Sequence, residues 1–170
     1  MSRGSERRRD PRLPYANKVI LTDGNRSLVA HAANLSRGGL FLKTMAPLPI
    51  DTVANTLFYL PTEKKTLCLE AKIVHVVFDP LGDSENGMGL QFENLSDKHR
   101  TLLSTHFLSE QSTYLELREL LNAPRPNLSQ VTACLRQMRH LEELDLLALR
   151  YRVERICTLF TARPQLGAVA

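Results

Sequence analysis

Five arginines, Arg3, Arg7, Arg8, Arg9 and Arg12, crowd the first dozen residues of the chain, against only Glu6 and Asp10. Arg8 and Arg12 stand four apart in the run Arg8-Arg9-Asp10-Pro11-Arg12, with Arg7 directly before them. A guanidinium is flat, permanently charged and carries its donors in a rigid fork, so it can hold phosphate bidentately and also stack on a purine face. Two such groups on an N-terminal arm suit a clamp on a doubly charged dinucleotide, and Pro11 stiffens the spacer between them. Taken alone, the cluster also fits a solvated basic tail. A second cluster is Asn34-Leu35-Ser36-Arg37-Gly38-Gly39. The Asn34 amide offers a donor and an acceptor, which matches a guanine edge. Ser36 adds a hydroxyl, and the glycines allow a ligand to approach the backbone closely. An ordinary turn between strands would use the same residues.

The remaining reactive side chains form no catalytic pattern. His31, His75, His99, His106 and His140 show neither H-E-x-x-H nor H-x-E spacing, so a hydrolytic zinc centre has no support. Ser36 lacks a nucleophile-elbow context, and no phosphate-binding G-x-x-x-x-G-K-[ST] loop occurs. Cys68, Cys134 and Cys157 are too far apart for a C-x-x-C pair and read as buried thiols of a reducing compartment. Glu142 and Glu143 fall in a helical stretch and read as a solvated face. The expectation is a binding protein, with no enzyme activity, no metal and no cofactor.

Two regimes of periodicity must position these residues. From Ala16 to Glu93 the chain alternates short β-rich runs with turn signals. The runs are Val19–Leu21, Leu28–Leu35, Leu40–Leu42, Val53–Leu60, Leu67–Phe78 and Met88–Phe92. They are separated by Asp23-Gly24-Asn25, by Ser36-Arg37-Gly38-Gly39, by the Pro47-Leu48-Pro49 loop and by the polar stretch from Pro80 to Gly87. Six short strands with no helix between them predict an antiparallel sheet closed into a barrel. Beyond Asn94 the period becomes helical: Leu102, Leu103, His106, Phe107, Leu115, Leu117, Leu120 and Leu121 recur at threes and fours. The spacing predicts a helix over 96–121, capped by Ser96 or Asp97 and stopped by Pro124 and Pro126. A second helical stretch, Leu128 to Phe160, divides into two helices near Leu141, where its apolar stripe shifts.

In this order, R-x-x-x-R followed by [DN]-x-S-x-x-G resembles the PilZ family of cyclic di-GMP receptors, with the pattern falling on Arg8, Arg12, Asn34, Ser36 and Gly39. The resemblance runs from about Glu6 to Leu108: Glu70–His75 is similar to a later barrel strand of the family, and Gly87–Ser96 to its closing strand and the entry to its C-terminal helix. It implies a mainly β, six-stranded antiparallel barrel followed by an α-helical C-terminal extension, with cyclic di-GMP as ligand. It also implies a role for Arg7, since a basic residue there accompanies binding of an intercalated ligand dimer; two ligands per chain are then expected.

The implied organisation is an arginine arm over 1–15, a barrel with its helix over 16–121, and a helical interaction module over 122–170. Ligand binding would order the arm, and the tail would carry a downstream protein partner. A net charge of +4 and a pI near 9.1 suit an anionic partner without specifying it. Two alternatives remain. One is a regulator that binds DNA or RNA through Arg136, Arg139, Arg150, Arg152 and Arg155, although Glu142, Glu143, Asp145 and Glu154 interrupt that face. The other is an adaptor of the same fold that binds no ligand. No stretch approaches the roughly 18 apolar residues a membrane span needs, and no apolar run follows the basic N-terminus. A bacterial, cytoplasmic location without membrane insertion is the expectation.

Overall fold

The computed structural model describes residues 10–82, 85–138 and 145–161. Seven strands come first: β1 (Leu13–Pro14), β2 (Lys18–Thr22), β3 (Ser27–Ser36), β4 (Gly39–Lys43), β5 (Val53–Leu60), β6 (Lys65–Val77) and β7 (Gly87–Phe92). Three helices follow: α1 (Asp97–Asn122), α2 (Leu128–Gln137) and α3 (Leu146–Thr161). The chain divides into two compact units, one holding residues 1–59 and 65–100, the other 60–64 and 101–170.

In the first unit the strands run β3-β2-β5-β6-β7-β4, and β4 pairs back onto β3. The pairings β2–β3, β2–β5, β3–β4, β4–β7 and β6–β7 are antiparallel, and with β5 beside β6 they close a six-stranded barrel. Side chains alternate between interior and exterior, most plainly in β5, where Ala54, Thr56, Phe58 and Leu60 are buried and their neighbours exposed. Phe58 stacks on Phe92 with ring centroids 5.6 Å apart, and Tyr15 meets Phe58 edge-on at 6.2 Å. Thr56 is fully buried, and its hydroxyl donates to the Leu69 carbonyl at 2.8 Å, which removes the penalty of an unpaired interior hydroxyl. Register shifts between Ala32 and Asn34 and between Ile73 and His75 supply the local twist a small barrel requires. Gly24 takes φ 93°, and the Asp23 carboxylate accepts the Asn25 and Arg26 amides to close the β2–β3 turn.

The six expected strands are therefore present. β1 is an addition the residue pattern does not show, because Pro14 cannot donate to a ladder and reads as a break. Cys68 departs from the expectation of a buried thiol. It lies between the inward-facing Leu67 and Leu69, so the strand's two-residue period turns it outward, whereas Cys134 and Cys157 are buried.

α1 starts where the cap was expected: the Ser96 hydroxyl accepts the His99 amide at 3.2 Å. In the second unit, α1 buries Leu103, Phe107, Tyr114, Leu117 and Leu121, and α3 buries Leu149, Val153, Ile156 and Cys157. The Cys157 thiol lies 3.5 Å from the Tyr114 carbonyl, and Tyr114 and Phe160 have ring centroids 6.3 Å apart, so α3 packs on the second half of α1. Asn127 caps α2 by accepting from the Ser129 and Gln130 amides, and Asp145 caps α3 through the Ala148 amide. The expected division of the second helical stretch falls at Leu141, which lies outside the described residues. Among the described residues no helix is long and apolar enough to cross a membrane.

Candidate functional site

The two-residue strand β1 positions the end of the arginine arm. It pairs with β3 in the register Leu13↔Leu35 and Pro14↔Asn34. Continued by one residue, that register brings Arg12 abreast of Ser36. Leu13 and Leu35 are both buried in the barrel, so their neighbours Arg12, Asn34 and Ser36 belong to the exterior face. Arg12 is exposed, and Asn34 and Ser36 are half-buried. Three of the six expected site residues thus meet on one outer surface. Arg7 and Arg8 lie outside the described residues.

Ser36 and Gly39 face each other across the tight β3–β4 hairpin. The Ser36 hydroxyl accepts the Gly38 amide and donates to the Gly39 carbonyl, each at 3.3 Å, so it holds the turn that presents Asn34. Gly39 has a structural reason to be glycine that the motif alone does not disclose. It is buried, and a Cβ there would overlap the Leu90 carbonyl oxygen on β7. The missing side chain accommodates the close approach of β7. A Cβ on Gly38 would meet nothing.

The same exterior face continues across β4, β7 and β6. Asn34 pairs with Phe41, Phe41 with Gly89, and Gly89 with His75. Ser36 pairs with Gly39, Gly39 with Gln91, and Gln91 with Lys72. Gly87 and Gly89 are the outward positions of β7, and a Cβ on Gly87 would collide with the Phe41 ring, so the ring settles over bare backbone. The result is a surface with amide and hydroxyl groups near Arg12, an aromatic ring beside them and a cation beyond. Lys72 makes a 3.0 Å ion pair with Asp51, and the hydrogen bond in that pair, with its charge, raises the Lys72 pKa above the ordinary lysine value. Sequence reading missed Phe41, Gln91, Lys72 and His75 as neighbours of the motif. They come from distant segments, and only the pairing register aligns them.

A face with amide and hydroxyl groups, an aromatic ring and a cation can bind a flat, anionic ligand. Among the described residues no group of His, Cys, Asp and Glu could hold a metal ion.

The sequence pattern of the PilZ domain matches residues 6–109. In structure the chain is similar to the Bacillus subtilis inhibitor of motility MotI/DgrA, with a TM-score of 0.55 at 17% identity over 63% of this chain and 52% of that one. It is also similar to Escherichia coli YcgR, solved in complex with c-di-GMP, with a TM-score of 0.51 at 16% identity over 65% of this chain and 48% of that one. At such identities the likeness concerns the fold, and this chain spans about half the length of each. No curated protein matches the chain in sequence.

Proposed function

The chain belongs to the PilZ domain family, and from that premise we propose that it is a receptor for cyclic di-GMP which acts by binding rather than by catalysis. The ligand is held between the arm residues Arg8 and Arg12 and the exterior positions Asn34, Ser36 and Gly39. Arg12 and Arg8 take the phosphates, Asn34 reads a guanine edge, and the Ser36–Gly39 hairpin supplies the rigid shelf. The observation that carries this reading is the β1–β3 register, in which Arg12 comes abreast of Ser36 on the outer face. The complex of YcgR with c-di-GMP supports the choice of ligand within this fold.

Ligand charge neutralises the arginine arm and orders it on the barrel, an order–disorder transition of the usual kind for a basic segment. Arg7 adds a contact to a second nucleotide, giving two ligands per chain. The helices beyond residue 122 carry the signal to a protein partner, and the protein works in the bacterial cytoplasm.

Isothermal titration with cyclic di-GMP tests the core of this reading. Each arginine contributes charge-assisted hydrogen bonds of roughly 1.5–3 kcal/mol, so Arg8→Ala/Arg12→Ala should weaken binding by about 10²- to 10⁴-fold. A double variant that titrates like its parent would show that the clamp is assigned to the wrong residues. Saturation at one ligand per chain would remove the role given to Arg7.

A further inference from the structure

The barrel exterior carries a second surface, built from strands β3, β2, β5 and β6. The exterior of a closed barrel is ordinarily polar, since only the inner face must be dry. Here Val29 is 61% exposed, and Ile20 and Leu57 are each 40% exposed. They are direct cross-strand partners, Val29↔Ile20 and Ile20↔Leu57. Along the β5–β6 hairpin, the Thr56 hydroxyl bonds the Leu69 carbonyl, and the turn is Pro61–Lys64. Counting from both sets Cys68 beside Leu57, and Cys68 is exposed. An apolar row, Val29–Ile20–Leu57–Cys68, therefore crosses four strands at right angles to them. Continued by two residues to either side, the registers set polar rows beside it: His31, Lys18, Tyr59 and Thr66 on one side, and Ser27, Thr22, Asn55 and Glu70 on the other.

We propose that this face is the interface of a two-fold dimer, with a second copy of this chain as its occupant. The argument is self-complementarity. A two-fold axis lying in the interface along the apolar row sets each row residue against its own counterpart and exchanges the flanks. His31 then meets Ser27 of the second copy, Tyr59 meets Asn55, and Thr66 meets Glu70. Each of these pairs can be formed by a donor and an acceptor. Lys18 meets Thr22 and, one residue further, Asp23, whose carboxyl is held below the ordinary carboxylate range by the Asn25 and Arg26 amides and so stays charged. Glu70 keeps one oxygen for this contact, because Asn94 engages the other at 2.8 Å. Four strands at about 4.8 Å and five residues at about 3.4 Å make a face under about 20 Å on a side. That is small for a permanent dimer, so association depends on concentration.

The geometry makes a sharp demand on cysteine chemistry. Cys134 and Cys157 are buried, which leaves Cys68 as the accessible thiol, and the axis brings it beside its own counterpart. In the full-length protein, light scattering should show the mass rising towards two chains with concentration. A short bis-maleimide should join the chains through Cys68, and Cys68→Ser should abolish the link. In the Cys68→Ser background, Ile20→Cys should restore it, whereas Leu108→Cys, exposed on α1, should not. Leu57→Arg and Ile20→Lys change outward side chains only; each should return the protein to one chain while leaving the circular dichroism spectrum unchanged. A protein that stays at one chain throughout overturns the proposal. So does a dimer that persists in well-folded Leu57→Arg and Ile20→Lys, or Leu108→Cys linking as efficiently as Ile20→Cys.

Discussion

Gly38 and Gly39 are adjacent in the β3–β4 hairpin, yet the space around them differs completely. The missing Cβ of Gly39 is occupied by the Leu90 carbonyl, whereas that of Gly38 faces open space. Gly39→Ala must push β4 and β7 apart and should cost on the order of 1–3 kcal/mol, the usual range for overpacking. Gly38→Ala should stay within about 0.5 kcal/mol of the parent, as exposed substitutions do. Urea unfolding of the two variants checks this directly. If Gly39→Ala were as stable as the parent but lost cyclic di-GMP, the glycine would serve the ligand rather than the sheet.

At the scale of the elements, α1 carries two titratable groups whose burial works in opposite directions. His106 is buried with the Thr62 hydroxyl 2.7 Å from its Nδ1, and desolvation pushes its pKa down from 6.5 to about 4. A histidine lowered on folding makes the fold lose stability as pH falls from 6.5 towards 4, by up to about 3 kcal/mol over the whole span. Glu110 sits one turn before Tyr114, and burial raises its pKa from 4.5 to about 7. A carboxyl raised on folding makes the fold lose stability as pH rises from 4.5 towards 7. Between about pH 4.5 and 6.5 the two slopes oppose each other, so the pH dependence should be shallow there. Glu110→Gln removes one arm of the balance. Its melting temperature should exceed the parent's at pH 8 and match it near pH 4, and a gain that is equal at both pH values would exclude ionisation as the cause. The tail helices are set by their caps: Asn127 holds two amides at the start of α2, and Asn127→Ala should cost about 1 kcal/mol. Thermal unfolding followed at 222 nm reads that loss.

For the molecule as a whole, the proposed boundary near residue 122 has a measurable consequence. Every motif residue lies at or before Gly39, so a chain ending at Asn122 should still bind cyclic di-GMP and should lose its protein partner. Tyr114, now buried, would lose its α3 neighbours Cys157 and Phe160 and become more exposed to solvent. The shortened chain should therefore bind an apolar dye and melt below the parent. Loss of ligand binding in a folded chain of that length would end the two-module division. The sequence by itself determined the six strands, the first helix and a cap at Ser96 or Asp97, because alternation, helical spacing and capping chemistry act between residues close in the chain. It also determined which side chains make up the motif, because R-x-x-x-R and N-x-S-x-x-G are local strings. Tertiary structure alone decided that β4 returns to β3 and that Leu13–Pro14 is a strand. It decided that Arg12 comes abreast of Ser36, that Phe41 lies over Gly87, and that Cys68 ends an apolar row drawn from four strands. Those facts depend on register between segments tens of residues apart. A shift of one residue in a strand reverses every side chain it carries, and no local pattern specifies which distant partner sets that register.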